Sequence, residues 1–160
     1  MIENLIVREC QSKDEDSYVK LNLDFMKIVK EEHPYWESLK TPSEEEFKKT
    51  FREALGSERI MIIVAEVNNE VVAYANVWSV YSIWSRGKAL TVDDLYVSSS
   101  CRNNGIGKKI IEYLFEYAKN NDYKRVQLHA EMDNEKAHKL YRAFGFSEKE
   151  MLYFMRKLGC

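Results

Sequence analysis

Two acidic residues and a pair of glycines lie close together in the sequence and have the chemistry of a functional site. Asp93 and Asp94 fall within Leu90–Val97, whose composition predicts a strand, and their carboxylates can accept a proton or bind a cation. Gly105 and Gly107 come next, at the start of a predicted helix. Glycine lets the backbone approach a bound anion, and the free N–H groups at a helix start attract one. The sequence therefore places a candidate anion site shortly after a candidate base.

Positive side chains gather at the first turn of this helix. Arg102, Lys108 and Lys109 surround N–H groups that already carry the positive end of the helix dipole. A bound phosphate or pyrophosphate would relieve the repulsion, whereas a surface helix with solvated lysines explains the two glycines equally well. A dinucleotide-binding turn would need a third glycine at Ile110, and a P-loop would need serine or threonine at Lys109. Both of those phosphate loops therefore fit the sequence poorly.

Two motifs resemble those of one enzyme family. Residues 102–107, RNNGIG, follow the strand end DDLYV and resemble the R/Q-x-x-G-x-G/A acetyl-CoA motif of the GNAT N-acetyltransferase superfamily. Downstream, NEKAHKLYRAFGF at Asn134–Phe146 resembles the family's N-x-x-A-x-x-x-Y-x-x-x-G-F helix and turn. The two motifs also have the family's order and spacing, and the resemblance covers roughly residues 59–157.

The resemblance implies an α/β (α+β) protein with the GNAT fold. That fold has a central, mixed but mostly antiparallel sheet of six to seven strands, with four helices on its two faces. Adjacent parallel strands, which here end at Val97 and Ala130, splay apart in this layout. The pantetheine arm of the cofactor enters the gap between them.

Hydrophobic periodicity and turn residues predict elements that agree with that layout. Strands are predicted at Leu5–Arg8, Arg59–Val67, Glu70–Tyr81, Leu90–Val97, Arg125–Ala130, Phe146–Glu148 and Met151–Lys157, the last two as a closing hairpin. Helices are predicted from Ser12 to about Lys30, from Glu44 to Leu55, from Gly105 to Lys119 and from Asn134 to Phe144. The segment Glu31–Thr41 is predicted to be irregular because Pro34 interrupts the helix.

The resemblance implies an acetyl-CoA-dependent N-acetyltransferase that works by direct attack of a primary amine in a ternary complex. Tyr141 holds the place of the general acid that protonates the coenzyme A thiolate. Asp93 holds the place where polyamine acetyltransferases carry a glutamate, and it is expected to act as a base through ordered water. An amine with a pKa of about 10 needs such a base at neutral pH. The residues alone leave another interpretation open, in which Asp93 and Asp94 only bond nearby backbone.

The same resemblance implies which residues contact the cofactor. They bind the pantetheine arm, cradle the pyrophosphate or leave room for the arm: Leu95, Tyr96, Val97, Arg102, Asn103, Asn104, Gly105, Ile106, Gly107, Lys108, Asn134, Ala137 and Tyr141. A loop of aromatic and acidic residues is a candidate amine pocket through cation–π and charge contacts. The candidate substrate residues are Glu31, Glu32, Tyr35, Trp36 and Asp94. The loop could equally be a lid that only covers core.

The acceptor is expected to be a small, polyamine-like cationic amine. Ile83–Val97 resembles the corresponding stretch of spermidine/spermine acetyltransferases. Residues 1–58 carry a net charge of −5 and residues 59–160 a net charge of +3, although solvated helix surfaces would explain this asymmetry as well. Aminoglycosides, amino acids and protein amines remain open as acceptors, as does a non-catalytic acyl-CoA-binding regulatory module. A nucleotide-phosphate enzyme is disfavoured because no serine or threonine follows Lys108.

Composition sets the remaining expectations. With 45% hydrophobic and 31% charged residues, the chain is expected to form one N-acetyltransferase domain, residues 1–160. No signal-peptide pattern or membrane-length apolar run is seen, which predicts a cytoplasmic protein that binds no membrane. The net charge of −2 argues against nucleic acid, and the spacing of the cysteines and histidines predicts neither a metal site nor a disulfide framework. Met151–Leu158 is a candidate strand for pairing across a homodimer.

Overall fold

A five-stranded mixed sheet organises the chain in the computed structural model, which describes residues 4–37, 40–156 and 158. The elements are β1 Leu5–Glu9, α1 Glu15–Glu32, α2 Pro34–Glu37, α3 Glu44–Leu55, β2 Ile60–Val67, β3 Glu70–Ser82, β4 Gly87–Val97, α4 Ile106–Asn120, β5 Arg125–Leu128 and α5 Glu135–Ala143. The strands lie in chain order, antiparallel except for the parallel pair β4 and β5. The residues form two compact units, Met1–His129 and Ala130–Cys160, and α5 belongs to the second.

One face of the sheet packs against α1 and α3. Alternate residues of neighbouring strands supply this face, because side chains along a strand point to opposite sides in turn. The packed cluster contains Cys10, Tyr18, Val19, Leu21, Phe51, Ile62, Val64, Tyr74 and Tyr96. The ring centroids of Tyr18 and Phe51 are 5.0 Å apart, and those of Tyr18 and Tyr74 are 5.1 Å apart. This aromatic core fixes α1 above the middle of β3 and β4.

The other face is covered by α4. Its apolar stripe is fully buried at Ile106, Ile110, Ile111 and Leu114, as the sequence periodicity predicts. On this face of the sheet, the strands have small or branched buried residues: Ile63, Ala65, Ala73, Ala75 and Val77. Helices therefore lie on both faces of the sheet, as expected. No helix in the described parts of the chain is both long enough and apolar enough to span a bilayer.

Two helix boundaries differ from the sequence prediction. α1 begins at Glu15 and not at Ser12, because residues 12–14 form a single 3-10 turn. Asp14 closes that turn and accepts two hydrogen bonds from the Arg8 guanidinium, at 2.7 and 2.9 Å. The segment predicted to be irregular is partly helical, since Pro34 starts α2, and proline is tolerated at a first helical position. Residues 38 and 39 of that segment lie outside the described residues.

The predicted closing hairpin is wrong for the described residues. Residues 146–156 belong to no strand, so the sheet has five strands and not six to seven. The first arm is held by α5: Phe146 N–H donates to the Tyr141 carbonyl oxygen at 3.2 Å, and Glu148 accepts from Arg142 at 2.9 and 3.0 Å. The second arm has no ladder partner in the described residues, and Phe154 is 86% exposed. The homodimer strand predicted at Met151–Leu158 is likewise not formed in the described residues, and Lys157 lies outside them.

Candidate functional site

A β-bulge in β4 gives Asp93 and Asp94 different exposure to solvent. Asn76 pairs with Asp94, and Val77 pairs with Val92, so Asp93 is the extra residue of β4. Asp93 is exposed, whereas Asp94 is only partly accessible. In a regular strand, two neighbouring side chains would point to opposite faces of the sheet. The bulge interrupts that alternation and sets the two carboxylates in different environments.

The parallel pairing of β4 and β5 ends just before this bulge. The register runs from Ala89 opposite Arg125 to Val92 opposite Leu128, where β5 ends. Within the described structure, β4 continues to Val97 without a β5 partner. β5 therefore does not occupy the backbone of residues 93–97, although the Val97 carbonyl oxygen accepts a bond from Arg102, and strand-like binding of an extended ligand arm requires such unpaired backbone. Leu95 and Val97, predicted to bind the pantetheine arm, lie in this stretch.

The glycine turn has the features of an anion site. Gly105 is the N-cap of α4 with φ 78°, a left-handed conformation that favours glycine, and no side chain caps the helix start. The first turn contains no acidic residue. A β-carbon at Gly105 would meet nothing within 4 Å, so the side of Gly105 on which a side chain would lie is open. Asn104 stabilises the loop, since its side-chain amide donates to the carbonyl oxygens of Cys101 and Arg102 at 3.2 and 3.1 Å. The turn fits the pyrophosphate of the implied cofactor.

The positive charge near this turn is partly balanced by the protein. Lys109 forms an ion pair with Glu112 at 2.8 Å, and Lys108 lies 3.9 Å from the same carboxylate. The lysines lower the pKa of Glu112, Lys109 most strongly. Sequence reasoning missed this partner, although spacings of three and four residues on a helix predict such pairs. Arg102 donates its Nε to the Val97 carbonyl oxygen at 3.0 Å, and its guanidinium lies 5.5 Å from the Tyr96 ring centroid.

Asp94 is the carboxylate whose protonation the fold changes. Burial raises its pKa, the negative charge of Asp93 raises it further, and a hydrogen bond from Asn76 opposes both effects. That bond runs from Asn76 Nδ2 to Asp94 Oδ2 at 2.8 Å. A carboxylate with a raised pKa is a better proton acceptor near neutral pH. Asn76 was not among the residues singled out from the sequence, because its pairing with Asp94 depends on the bulge.

Comparison with known proteins decides the family, because residues 23–146 match the model of the Acetyltransferase (GNAT) family. The chain belongs to this GNAT family. It is 29% identical over 94 residues to an uncharacterized N-acetyltransferase of Bacillus subtilis (strain 168), YhfO, covering 59% of this chain and 63% of that protein. It is 36% identical over 75 residues to the thialysine N-epsilon-acetyltransferase of Mus musculus, covering 47% of this chain and 44% of that enzyme. Each match spans less than two thirds of the relative's length.

A solved structure shows the same fold over nearly the whole chain. It is an aminoglycoside acetyltransferase, meta-AAC0020, from an uncultured soil metagenomic sample, in complex with trehalose. The TM-score is 0.79 at 20% identity, with 99% of this chain and 100% of that chain covered. At this identity the likeness establishes the GNAT fold. The likeness does not identify the acceptor of this GNAT protein, which has to be inferred from the residues of this chain.

Tyr141 lies in α5, within the second unit. Burial raises the pKa of its hydroxyl, so the phenol stays protonated at neutral pH and can donate. Its ring lies against Phe146, with centroids 5.7 Å apart at 68°. At the start of α5, Asn134 is the N-cap, and its side-chain oxygen accepts from the Ala137 N–H at 3.1 Å. That contact occupies the oxygen of Asn134, which leaves its side-chain N–H groups for a ligand.

The predicted substrate residues of this GNAT protein fall in two places. Glu31 and Glu32 end α1, and Tyr35 and Trp36 follow in α2, with ring centroids 4.8 Å apart in an edge-on arrangement. Asp94 lies in the sheet instead. The first four form an acidic and aromatic corner, and Tyr35 is 59% exposed. In the described residues, no group of three His, Cys, Asp or Glu side chains is arranged to hold a metal ion.

Proposed function

We propose that this protein is an acetyl-CoA-dependent N-acetyltransferase that acetylates a primary amine of a small cationic, polyamine-like acceptor. The observation that carries the proposal is the order of features along β4 and α4. A carboxylate pair at a bulge is followed by backbone that has left β5, and then by an uncapped glycine helix start. One continuous segment thus offers a proton acceptor, an edge for an extended arm and an anion site.

The chain's own residues bind the donor in this proposal. Acetyl-CoA supplies an acetyl thioester: a C–N bond forms to the acceptor amine, the C–S bond breaks and the thiol of coenzyme A leaves. The first-turn N–H groups of α4 bind the pyrophosphate, and Arg102 and Lys108 add positive charge. The backbone of Leu95 and Val97 binds the pantetheine arm. The remaining donor contacts are assigned to Tyr96, Asn103, Asn104, Gly105, Ile106, Gly107, Asn134, Ala137 and Tyr141.

Two protein groups handle protons. The acceptor reaches the site as an ammonium ion and must lose one proton before its nitrogen lone pair can attack. Asp93, exposed on the bulge, takes up that proton through an ordered water. Tyr141 donates its phenolic proton to the sulfur as the thiol leaves, and regains a proton from the amine nitrogen, whose second proton is released as the amide forms.

The charge around the acceptor residues supports a cationic amine. Glu31 and Glu32 are exposed beside two aromatic rings, and a cation can contact a carboxylate and a ring face together. Asp93 adds an exposed negative charge at the bulge. The names of the compared proteins refer to thialysine and aminoglycosides, which both carry amines. A polyamine matches the acidic surface with two or more charges on a narrow chain.

A thiol-release assay tests the proposal. Acetyl-CoA is supplied with polyamines, aminoglycosides, amino acids and short peptides, and Gly105→Asp serves as a control that should not bind the donor. Turnover with polyamines and none with the control is expected. Turnover only with aminoglycosides or peptides would overturn the acceptor class. Silence across the panel, together with measured acetyl-CoA binding, would overturn the enzyme assignment and favour a non-catalytic acyl-CoA-binding module.

A further inference from the structure

A chain of hydrogen bonds runs from α1 through β3 to the carboxylate at the bulge. The Tyr18 hydroxyl donates to Asn76 Oδ1 at 2.7 Å, and Asn76 Nδ2 donates to Asp94 Oδ2 at 2.8 Å. Tyr18 is 7% exposed and packs in the aromatic core. Three elements, α1, β3 and β4, therefore meet in one polar chain that begins in the aromatic core. Such a chain must be satisfied throughout, because an unpaired polar group there is costly.

The direction of the chain suits an ionised Asp94. Burial raises the pKa of Tyr18 to about 12, so its hydroxyl is a donor at physiological pH. A donor at Asn76 Oδ1 fixes the amide with its N–H groups toward Asp94, and an ionised carboxylate can only accept. Each contact thus determines the next. Rotation of the Asn76 amide would place its oxygen against the Asp94 oxygen and lose the bond to the carboxylate.

The second oxygen of Asp94 is left accessible. Within the described structure, the Tyr74 hydroxyl is the single buried side-chain nitrogen or oxygen atom without a hydrogen bond. Asp94 Oδ1 has no hydrogen-bond partner among those residues either, so it must reach the surface. One carboxylate oxygen is therefore fixed from inside the core, and the other retains some solvent contact through which water can reach it.

We propose that Asp94 is the terminal proton acceptor of the reaction and that Asn76 and Tyr18 are its positioning residues. The inference rests on the proposed function and deepens it, since Asp93 and its water then pass the proton of the acceptor ammonium to Asp94 Oδ1. The N–H bond of the ammonium breaks, an O–H bond forms on Asp94, and the nitrogen keeps the electron pair. The negative charge that Asp93 carries before it takes up the proton attracts the acceptor ammonium.

The groups around Asp94 shift its pKa in opposite directions, and these shifts can be tested. Asp93 on its own strand raises its pKa, whereas the bond from Asn76 lowers it. Tyr74 on β3 and Tyr18 on α1 are the neutral phenols that face it. Tyr96 lies farther along β4. Burial raises the pKa of its hydroxyl, Arg102 lowers that pKa, and Asp24 of α1 raises it. Removing the Asn76 donor should therefore shift the titration of Asp94 to higher pH, and removing the Asp93 charge should shift it to lower pH.

The experiment compares four variants by two measurements. The pH dependence of kcat/KM is recorded for Asn76→Leu, Tyr18→Phe, Asp93→Asn and Tyr74→Phe. The carboxyl carbon signal of Asp94, assigned through Asp94→Asn, is titrated by NMR in the free protein. Tyr74→Phe is the matched control, because it removes a hydroxyl from the same aromatic core that has no hydrogen-bond partner among the described residues.

The expected results differ in sign between variants. Asn76→Leu moves both the acidic limb of kcat/KM and the NMR midpoint to higher pH and lowers kcat/KM at pH 7 by about tenfold, the size of one hydrogen bond to a charged group. Tyr18→Phe causes a smaller shift in the same direction, Asp93→Asn the opposite shift, and Tyr74→Phe none. Equal shifts in Tyr18→Phe and Tyr74→Phe, or an unmoved NMR midpoint in Asn76→Leu, would overturn the proposal. The NMR titration can overturn the proposal even if no acceptor is acetylated, because it is recorded on the free protein.

Discussion

Two substitutions of Gly105 distinguish the effect of side-chain charge from the effect of side-chain size on donor binding at the anion site. Gly105→Asp places a carboxylate in front of the first-turn N–H groups of α4, and Gly105→Asn places a neutral side chain of the same size there. A β-carbon at this position meets nothing within 4 Å, so neither side chain should clash. Both variants must adopt φ 78°, and Asn and Asp tolerate this conformation better than other non-glycine residues.

The two variants should differ in donor binding far more than in stability. The left-handed conformation costs roughly 1–2 kcal/mol, and an acid at a helix start recovers about 0.3–1 kcal/mol, so Gly105→Asp should remain folded. A carboxylate about 5 Å from a phosphate charge, at an effective dielectric of about 20, is repelled by about 3 kcal/mol. This corresponds to more than ~100-fold weaker binding of acetyl-CoA. Gly105→Asn lacks this repulsion and should bind within about tenfold of the natural protein.

Calorimetric titration with coenzyme A measures both affinities, and thermal unfolding checks that each variant is folded. The affinity gap between the Asp and Asn variants should shrink as salt is added, because added ions screen a charge effect at an exposed turn. If both folded variants bind coenzyme A as tightly as the natural protein, the anion site at the start of α4 is refuted. Equal losses in both would show that the space in front of Gly105 matters and its charge does not.

Three further substitutions test the remaining roles. Tyr141→Phe should lower turnover by at least about tenfold with acetyl-CoA affinity nearly unchanged, whereas equal losses in kinetics and affinity would indicate packing. Asp93→Asn should move the acidic limb of the pH–rate profile to lower pH, and an identical profile would exclude Asp93 from proton transfer. Asp14→Asn should reduce the free energy of unfolding at pH 7 by about 1–3 kcal/mol. Because Arg8 lowers the folded-state pKa of Asp14, this stabilisation exists above the ordinary Asp pKa and disappears as pH falls through the lowered value, which urea unfolding at several pH values checks.

The sequence predicted α4 and its glycine turn well because those features depend on local rules. The buried stripe of α4 follows from a spacing of three to four residues, and the left-handed Gly105 follows from the absence of a β-carbon. The strands predicted at Arg59–Val67 and Glu70–Tyr81 leave only Asn68 and Asn69 between them, and both residues have the positive φ angles of a tight turn, 50° and 67°. Each of these signals lies within a few residues of the structure that it determines.

The hairpin at the end of the chain was mispredicted because strand formation depends on a partner segment as well as on local composition. Residues 151–156 have a strand-like composition, but a strand forms only where a partner offers free backbone groups. The segment predicted to pair with them, Phe146–Glu148, follows α5 directly, and its Phe146 N–H already donates to the Tyr141 carbonyl oxygen. Composition reports which conformation a segment prefers. It does not report whether another segment is free to pair with it.

The carboxylate pair shows the same limit at the site. The motif identified the Asp93–Asp94 pair but could not tell which of the two would be buried, because one extra residue in β4 decides it. Without the bulge, Asn76 would face a different residue of β4, and the bond that links Tyr18 to the carboxylate would be lost. A motif therefore locates the chemistry, whereas the register of β3 against β4 determines which oxygen performs it. Because Asp93 is the extra residue, its deletion should make β4 regular and leave Asn76 opposite Asp94, so a loss of acetyl transfer in that variant would report the missing Asp93 carboxylate and not a broken Asn76–Asp94 bond.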